Sequence, residues 1–136
     1  MRLHAWTGED RFRAAAERLL DAFGERLRGQ PGVLSEMLLA VEAKAWPMRE
    51  LVLVRPAGGT DEAFLQVLRE TFVPHRVVLR IEEGKADAWG RWTPLAAGKV
   101  ARNGQTTAYV CRHGVCQLPT TDPAAMIAQL KARPTP

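Results

Sequence analysis

Two cysteines near the C-terminus are the side chains whose type and spacing suggest chemistry. Cys111 ends one strand-like run of residues, and Cys116 opens the next. His113 and Gly114 between them favour a two-residue turn, because glycine accepts positive φ freely and histidine accepts it better than most residues. The sequence therefore predicts a β-hairpin that contains both sulfurs.

In that hairpin Arg112 faces Val115, and Cys111 faces Cys116 as a non-hydrogen-bonded pair with Cα atoms about 4.5 Å apart. Such a separation is within the reach of a disulfide. Three interpretations stay open: small apolar residues packed on a buried face, a disulfide or redox-responsive pair, and part of a metal site. A metal would need two further ligands, which His113 in the turn is not placed to supply, so we expect neither a metal nor another cofactor.

The compartment and the neighbouring residues predict the redox state of the pair. A reducing cytosol favours two reduced, close-packed thiols that can form a bridge under an oxidant. The sequence places no lysine beside either cysteine, and Arg112 points to the opposite face of the hairpin. No feature of the sequence is therefore expected to lower the pKa of either thiol.

Gly58, Gly59 and Thr60 form a second candidate, an anion-binding turn. They follow an apolar run and precede a predicted helix, where backbone N–H groups can bind a phosphate or a carboxylate. A phosphate-binding fingerprint needs more glycines at fixed spacing, and this stretch has no such pattern. A turn followed by a helix cap explains the same residues.

No residue is predicted to be catalytic. Glu36, Glu42 and Glu50 are carboxylates of the kind that a sugar-cleaving site uses, but such a site needs two of them flanking one bond, and nothing in the sequence pairs them. The chain also contains His4, His75 and His113. None of these histidines has a cysteine, serine or aspartate at a spacing that suggests a triad.

The elements that position these residues divide the chain into two parts. Residues 1–45 predict a helical hairpin, in which Thr7 caps a helix that reaches Leu27 and a second apolar stripe extends from Leu34 to Val41. Two helices joined by a short Gly/Pro turn should pack antiparallel. A lone helical hairpin buries only one side of each helix, so this part must pack on the rest of the chain or on a partner.

Residues 46–136 predict a small α/β unit. Apolar runs at 51–54 and 77–79 are typical of buried strands, and the helix between them, capped by Thr60 and ended by Pro74, makes the two strands parallel. The buried face of that helix is predicted to consist of Phe64, Leu65, Leu68 and Phe72.

The rest of this unit consists of a long connection, the cysteine hairpin and a final helix. Residues 82–105 predict an ordered loop or short helix whose tryptophans, Trp89 and Trp92, cover the sheet. Asp122 as N-cap and Pro123 at the first helical position begin the last helix. The predicted fold is thus α/β, with an N-terminal helical hairpin packed on a small mixed sheet in one compact domain.

The order strand, helix, strand, hairpin and helix also matches a thioredoxin-like layout. That layout normally places a Cys-x-x-Cys motif after the first strand. Here the position is occupied by Pro56, Ala57, Gly58 and Gly59, so dithiol exchange at the usual place is excluded.

Composition and charge exclude several classes of protein. The 136 residues are 46% apolar and 25% charged, with a net charge of +4, which is typical of a single soluble domain. No apolar run is long enough to span a bilayer, and the N-terminus lacks a signal peptide, so we expect a cytoplasmic protein with no membrane partner. Most basic residues alternate with acidic ones, and a nucleic-acid surface is therefore not expected.

The strings Thr106–Cys111 and Cys116–Asp122 are specific enough to suggest a family. They resemble the C-terminal signature of the YyaL family of thioredoxin-domain-containing proteins, which includes the spermatogenesis-associated members. Segments upstream agree with the family in order and character. They are Leu3–Glu25, Met37–Ala40, Glu50–Val54 and Phe72–Leu79.

The resemblance implies a context more than an activity. A full-length member has an N-terminal thioredoxin-like domain and a central α/α toroid, similar to six-hairpin glycosidases and N-acylglucosamine 2-epimerases. We expect this chain to begin near the last helices of that toroid, without the thioredoxin domain and without most of the sugar-binding cleft.

Three functions follow as hypotheses. The first is a non-catalytic structural or interaction module, which self-associates or binds a toroid or thioredoxin-domain partner through the helical hairpin. The second is part of a carbohydrate-processing enzyme that a missing toroid completes. The third is a redox-responsive protein that uses Cys111 and Cys116. The isolated chain is not expected to be an enzyme.

Overall fold

The computed structural model describes residues 1–46 and 48–132. Seven α-helices and four strands are present in these residues. The helices are α1 (Arg2–Thr7), α2 (Asp10–Ala22), α3 (Gly24–Gly29), α4 (Ser35–Ala45), α5 (Glu62–Arg69), α6 (Ala86–Gly90) and α7 (Pro123–Lys131). The strands are β1 (Arg49–Arg55), β2 (Arg76–Glu82), β3 (Thr107–Arg112) and β4 (Val115–Cys116). Short 3-10 turns lie at Pro31–Leu34 and Pro94–Ala96.

The strands form one mixed sheet in the order β2-β1-β3-β4. β1 pairs parallel with β2 and antiparallel with β3, and β3 pairs antiparallel with β4. The apolar run in β1 explains its central place, because a strand covered on both faces needs apolar side chains at every position. The α/β prediction, with parallel strands around one helix and a hairpin after them, is confirmed.

Each face of the sheet has its own core. One face packs on α5 and α7; its buried side chains include Leu51, Leu53, Phe64, Leu68, Val110, Met126 and Leu130. The other face packs on α1, α6 and the Pro94–Ala96 turn; its buried side chains include Val52, Val54, Leu79, Ile81, Leu95 and Tyr109. The strand residues of β1 alternate between the two cores, as the two-residue period of a strand requires.

The cap of α7 confirms the sequence interpretation, whereas the cap position of α5 is Asp61, one residue after the predicted Thr60. Asp122 caps α7 through its Oδ1, which accepts a hydrogen bond of 2.9 Å from the Ala124 N–H. The Thr60 hydroxyl accepts one of 3.1 Å from the Glu62 N–H at the start of α5. Phe72 was wrongly predicted to face inward, because α5 ends at Arg69 and the Phe72 ring lies exposed beyond it.

The N-terminal helices differ from the prediction of one helix capped by Thr7. Thr7 is instead the last residue of α1, and Gly8, at φ 73°, ends that helix in the left-handed conformation that glycine adopts without strain. A second break at Phe23 separates α2 from α3. The two-helix hairpin is therefore a group of shorter helices, in which α2 packs against α1 and α4.

The connection between β2 and β3 contains α6 and the Pro94–Ala96 turn, as the predicted loop or short helix allows. Trp89 is partly buried against the sheet and meets the Trp6 ring edge-on, with centroids 6.1 Å apart. Trp92 is exposed, so its predicted place over the sheet is wrong. The Tyr109 hydroxyl fixes the end of the connection, because it donates to the Val100 carbonyl at 2.8 Å and accepts from the Val100 N–H at 3.2 Å.

Candidate functional site

The cysteine hairpin has the register that its turn residues predict. Cys111 pairs with Cys116, and Arg112 pairs with Val115. His113 and Gly114 both have positive φ, at 50° and 77°, as a two-residue hairpin turn of this type requires.

The two sulfurs are joined in a disulfide, with Cα atoms 3.9 Å apart. The structure therefore describes the bridged state, whereas the compartment argument predicts reduced thiols in the cell. The two sides of the bridge differ in exposure. Cys111 is buried, at 2% exposure, while Cys116 lies on the surface. An attacking group from solvent consequently reaches the sulfur of Cys116 first.

Glu50 lies next to the buried side of the bridge. It is the direct partner of Cys111 across the β1–β3 ladder, and the β-carbons of directly opposed residues lie about 5 Å apart. Glu50, Cys111 and Cys116 thus form a row across three strands. The Glu50 side chain is 6% exposed, and its Oε2 accepts a hydrogen bond of 3.2 Å from the Gly114 N–H in the hairpin turn.

A cavity of about 530 Å³ opens over this row, between the sheet and the N-terminal helices. Glu50, Cys111, Cys116 and Gly114 line its floor. The other ionisable residues of the wall are His4, Arg13, Glu17, Lys44, Lys99 and His113. These groups come from α1, α2, α4 and two loops, so the cavity depends on the tertiary fold.

Lys99 is the lysine that shares a cavity with the cysteines, although it is distant from both in sequence. It lines this cavity together with Cys116, and the two also line a second cavity of about 470 Å³. Burial lowers the pKa of Lys99, and the negative charge of Glu50 partly opposes that shift. The Lys99 ammonium also lies 5.8 Å from the centroid of the Tyr109 ring, within the range of a cation–π contact.

The candidate anion site at Gly58, Gly59 and Thr60 forms a turn and a helix cap. The Gly59 N–H donates to the Pro56 carbonyl at 2.9 Å, and the Gly59 carbonyl accepts from Arg55 at 3.1 Å. The Thr60 carbonyl accepts from the Thr106 hydroxyl at 2.7 Å. These contacts join the turn to the ends of β1 and β3, and the site as an anion-binding turn stays a prediction.

The remaining candidate side chains do not meet in one place. Glu36 is exposed on α4, and Glu42 lines a different cavity from Glu50. His75 lies in the loop before β2 with positive φ, and its side chain is buried, with Nε2 3.1 Å from Glu42 Oε2. Across residues 1–46 and 48–132, no group of three or more histidines, cysteines or acidic residues is arranged to hold a metal ion.

Comparison with known proteins gives one consistent result. The chain is similar to spermatogenesis-associated protein 20. It is 29% identical to the Homo sapiens protein over 127 residues and 27% identical to the Mus musculus and Rattus norvegicus proteins. Each match covers 93% of this chain and only 16% of the relative, so the chain spans about one sixth of the length of these proteins.

This similarity agrees with the spermatogenesis-associated part of the resemblance seen in the sequence, while the YyaL and toroid parts stay predictions. No protein-family model matches the chain, and no solved structure matches it significantly. No helix in the described part of the chain is long and apolar enough to cross a membrane.

Sequence analysis missed the relation of Glu50 to the cysteines, although a signal for it exists. Glu50 directly precedes the apolar run of β1, and strand alternation puts it on the same face as Val52 and Val54. A charged residue in that alternation indicates a buried carboxylate. Lys99 has no comparable signal, because only the path of the long connection brings it to Cys116.

Proposed function

We propose that this chain is a non-catalytic interaction module that docks on another helical surface through α2, α3 and α4, here called the outer helices. One observation supports this most strongly. Both faces of the sheet are already covered, whereas the outer helices and the short segments that join them keep large apolar side chains in solvent. These side chains are Leu19, Phe23, Val33, Leu38, Leu39 and Val41.

α4 shows most clearly that the outer helices expose apolar side chains. Leu38, Leu39 and Val41 are exposed, while Met37, Ala40 and Ala43 on its other side are only partly buried. A helix that is apolar around most of its circumference is typical of a helix with protein on every side. α4 has the rest of the domain on one side only, so its outer side is available to a partner.

α2 contributes further exposed apolar side chains. Leu19 and Phe23 are four residues apart, which places them on one helical face, and both are exposed. Leu20 is the one buried residue among residues 1–46. Exposed apolar patches of a few hundred Å² commonly mark sites of protein association.

The occupant of this surface in the purified chain would be a second copy. Residues 10–45 contain six basic and six acidic residues, so two copies of the outer helices bring no net charge together. Several of these charges are already paired locally, such as Arg13 with Asp10 at 2.9 Å. The net charge of +4 on the whole chain therefore does not oppose docking at this face.

In a protein as long as the relatives, the remaining part of the chain would supply the partner surface. The resemblance to the YyaL family would make that surface the helices of a toroid. The carbohydrate-processing alternative has less support, because Glu36, Glu42 and Glu50 do not line one cavity.

Sedimentation velocity of the purified chain tests this function. We expect dimers or larger species at micromolar concentration. Leu39→Lys should weaken association at least about tenfold, which corresponds to about 1.4 kcal/mol, because it puts a charge into the apolar contact. Leu118→Lys is the matched control, since Leu118 is more exposed than Leu39 but lies beyond the cysteine hairpin.

A wild-type chain that stays monomeric over the whole concentration range would contradict the proposal. So would association that Leu118→Lys weakens as strongly as Leu39→Lys. Circular dichroism on each variant separates a lost contact from a lost fold.

A further inference from the structure

We propose that Cys111 and Cys116 form a thiol–disulfide exchange site for small thiols that bear carboxylates, in which Cys116 is the sulfur under attack and Glu50 holds the proton of Cys111. This activity lies beyond the docking function, because it uses the cysteine hairpin and the cavity-lining residues of α2 and α4, whereas docking uses the exposed apolar side chains of the outer helices. Four observations support it: the unequal exposure of the sulfurs, the buried carboxylate, the adjacent cavity and its cations.

The unequal exposure assigns the roles of the two sulfurs. Exchange proceeds when a thiolate attacks one sulfur of a disulfide and the other sulfur leaves. Cys116 is on the surface and lines both cavities beside the hairpin. Cys111 is buried at the floor of the cavity of about 530 Å³. The attacking thiolate therefore meets Cys116, and Cys111 becomes the leaving group.

The position of Glu50 assigns the path of the proton. Its carboxyl group lies across the ladder from Cys111 and is almost completely buried. The Gly114 N–H occupies Oε2, which leaves Oε1 as the oxygen that exchanges a proton with the Cys111 sulfur. A buried thiolate next to a carboxylate is unfavourable, so proton transfer between these two groups has to accompany the step.

The wall of the cavity favours a small acidic ligand. The titratable and charged groups that face Glu50 across it are His4, Arg13, Glu17, Lys44, Lys99 and His113. Three basic side chains, those of Arg13, Lys44 and Lys99, stand against Glu17 and Glu50, and a volume of about 530 Å³ is enough for a tripeptide-sized molecule. Opposite charge raises the local concentration of such a ligand. A small thiol with carboxylate groups thus fits both the size and the charge.

The reaction balances in two steps. A thiolate of the small molecule attacks the Cys116 sulfur, the bond to Cys111 breaks, and the leaving Cys111 thiolate takes a proton that the Glu50 carboxylate accepts from solvent in the cavity. A second thiolate attacks the small-molecule sulfur of the mixed disulfide and releases Cys116 as a thiolate, which takes a proton from solvent. Two small thiols are oxidised to their disulfide, and the protein disulfide is reduced to two thiols.

The reverse direction gives the clearest test. Oxidised glutathione is added to the reduced chain, and samples quenched with acid are analysed by mass spectrometry. In the Cys111→Ser variant the reaction should stop at a mixed disulfide on Cys116, because the sulfur that would displace glutathione is absent. In the reduced wild-type chain, iodoacetamide should modify Cys116 at least about tenfold faster than Cys111, because alkylation follows exposure and thiolate content.

Glu50→Gln tests the proton path. The glutamine carbonyl can still accept the Gly114 N–H, so the fold should persist. The attack of Cys116 on oxidised glutathione should keep its rate. The attack of Cys111 on the resulting mixed disulfide, which closes the protein disulfide, should slow by about tenfold to a hundredfold, as expected for loss of a proton acceptor. The pH dependence of this second step should differ between wild type and variant, because only the wild-type chain has a carboxylate beside Cys111 that can accept its proton.

The class of thiol is tested by comparing glutathione with cysteamine, which carries a positive charge instead of carboxylates. Relative to an unstructured peptide disulfide, the chain should favour glutathione by about tenfold at low salt, and Lys44→Gln should reduce that preference. Equal alkylation of both cysteines, or a Glu50→Gln closure rate equal to the wild-type rate at every pH, would overturn the proposal. A preference for cysteamine would overturn the assigned class of thiol.

Discussion

At the scale of single residues, the best-defined interaction outside the cavity joins Asp61 to Arg80. The Asp61 carboxylate is buried and accepts two hydrogen bonds from the guanidinium, at 2.7 and 2.8 Å. This pair ties the start of α5 to β2. The hydrogen bond from Arg80 holds the pKa of Asp61 below its usual value, although burial works in the opposite direction.

Asp61→Asn should destabilise the chain by about 1–3 kcal/mol at neutral pH, because it weakens two charge-assisted hydrogen bonds to a buried carboxylate, although the exposed Arg80 keeps the effect toward the lower end. A lowered pKa in the folded state means that the carboxylate stabilises the fold above the usual value of 3.8. That stabilisation is lost as the pH falls through the lowered pKa. Urea unfolding between about pH 7 and about pH 3 should show the gap between wild type and variant narrowing at the acidic end.

Asp10→Asn is the control for this change. Asp10 also pairs with an arginine, Arg13, but in solvent, and such pairs contribute less than about 1 kcal/mol. An Asp61→Asn effect no larger than the Asp10→Asn effect, or a gap that widens in acid, would contradict the assignment.

Single residues also show where sequence reasoning succeeds. The pairing of Cys111 with Cys116 follows from two turn residues, because a two-residue turn sets the register of the two strands that it joins. The Asp61–Arg80 pair and the position of Lys99 could not be predicted in this way. Each depends on how segments distant in sequence pack together, and a local sequence pattern does not predict that packing.

At the scale of elements, the hairpin turn is the local structure on which the cysteine pair depends most. Gly114 has φ 77°, a conformation that costs other residues about 1–2 kcal/mol. Gly114→Ala should therefore destabilise the chain by roughly that amount. A Cβ at Gly114 would meet no atom within 4 Å, so the cost arises from the backbone alone.

Gly29→Ala is the matched control, because a Cβ there also meets nothing within 4 Å and Gly29 does not have positive φ. That variant should be neutral or slightly stabilised, since alanine favours a helix. Thermal unfolding of the two variants is the measurement. Equal effects would show that the turn does not require the left-handed conformation.

The elements differ in how well they could be predicted. The run in β1 and the Asp122-Pro123 start of α7 are strong local signals, and both are confirmed. The breaks at Gly8 and Phe23 were missed because apolar spacing continues past them. A glycine before an acidic first turn is also compatible with the start of one helix, so the pattern did not show that α1 ends there.

At the scale of the whole molecule, the chain combines a completed sheet with an incomplete helical layer. The sheet has a core on each face, whereas residues 1–46 contain one buried side chain, Leu20. Sequence analysis predicted this imbalance from the geometry of a helical hairpin. It could not identify the occupant, because the outer face of α4 has the same composition whether it binds a second copy or the rest of a longer chain.

Hydrogen–deuterium exchange at dilute and at concentrated protein tests the docking surface most directly. We predict that raising the concentration slows amide exchange in the outer helices, most strongly in Ser35–Ala45, and leaves the sheet strands unchanged, because a second copy covers only the exposed apolar face. The same experiment on Leu39→Lys should show this protection only at concentrations at least about tenfold higher. Exchange in the outer helices that is independent of concentration in the wild-type chain, or new protection confined to the β3–β4 hairpin, would contradict the account.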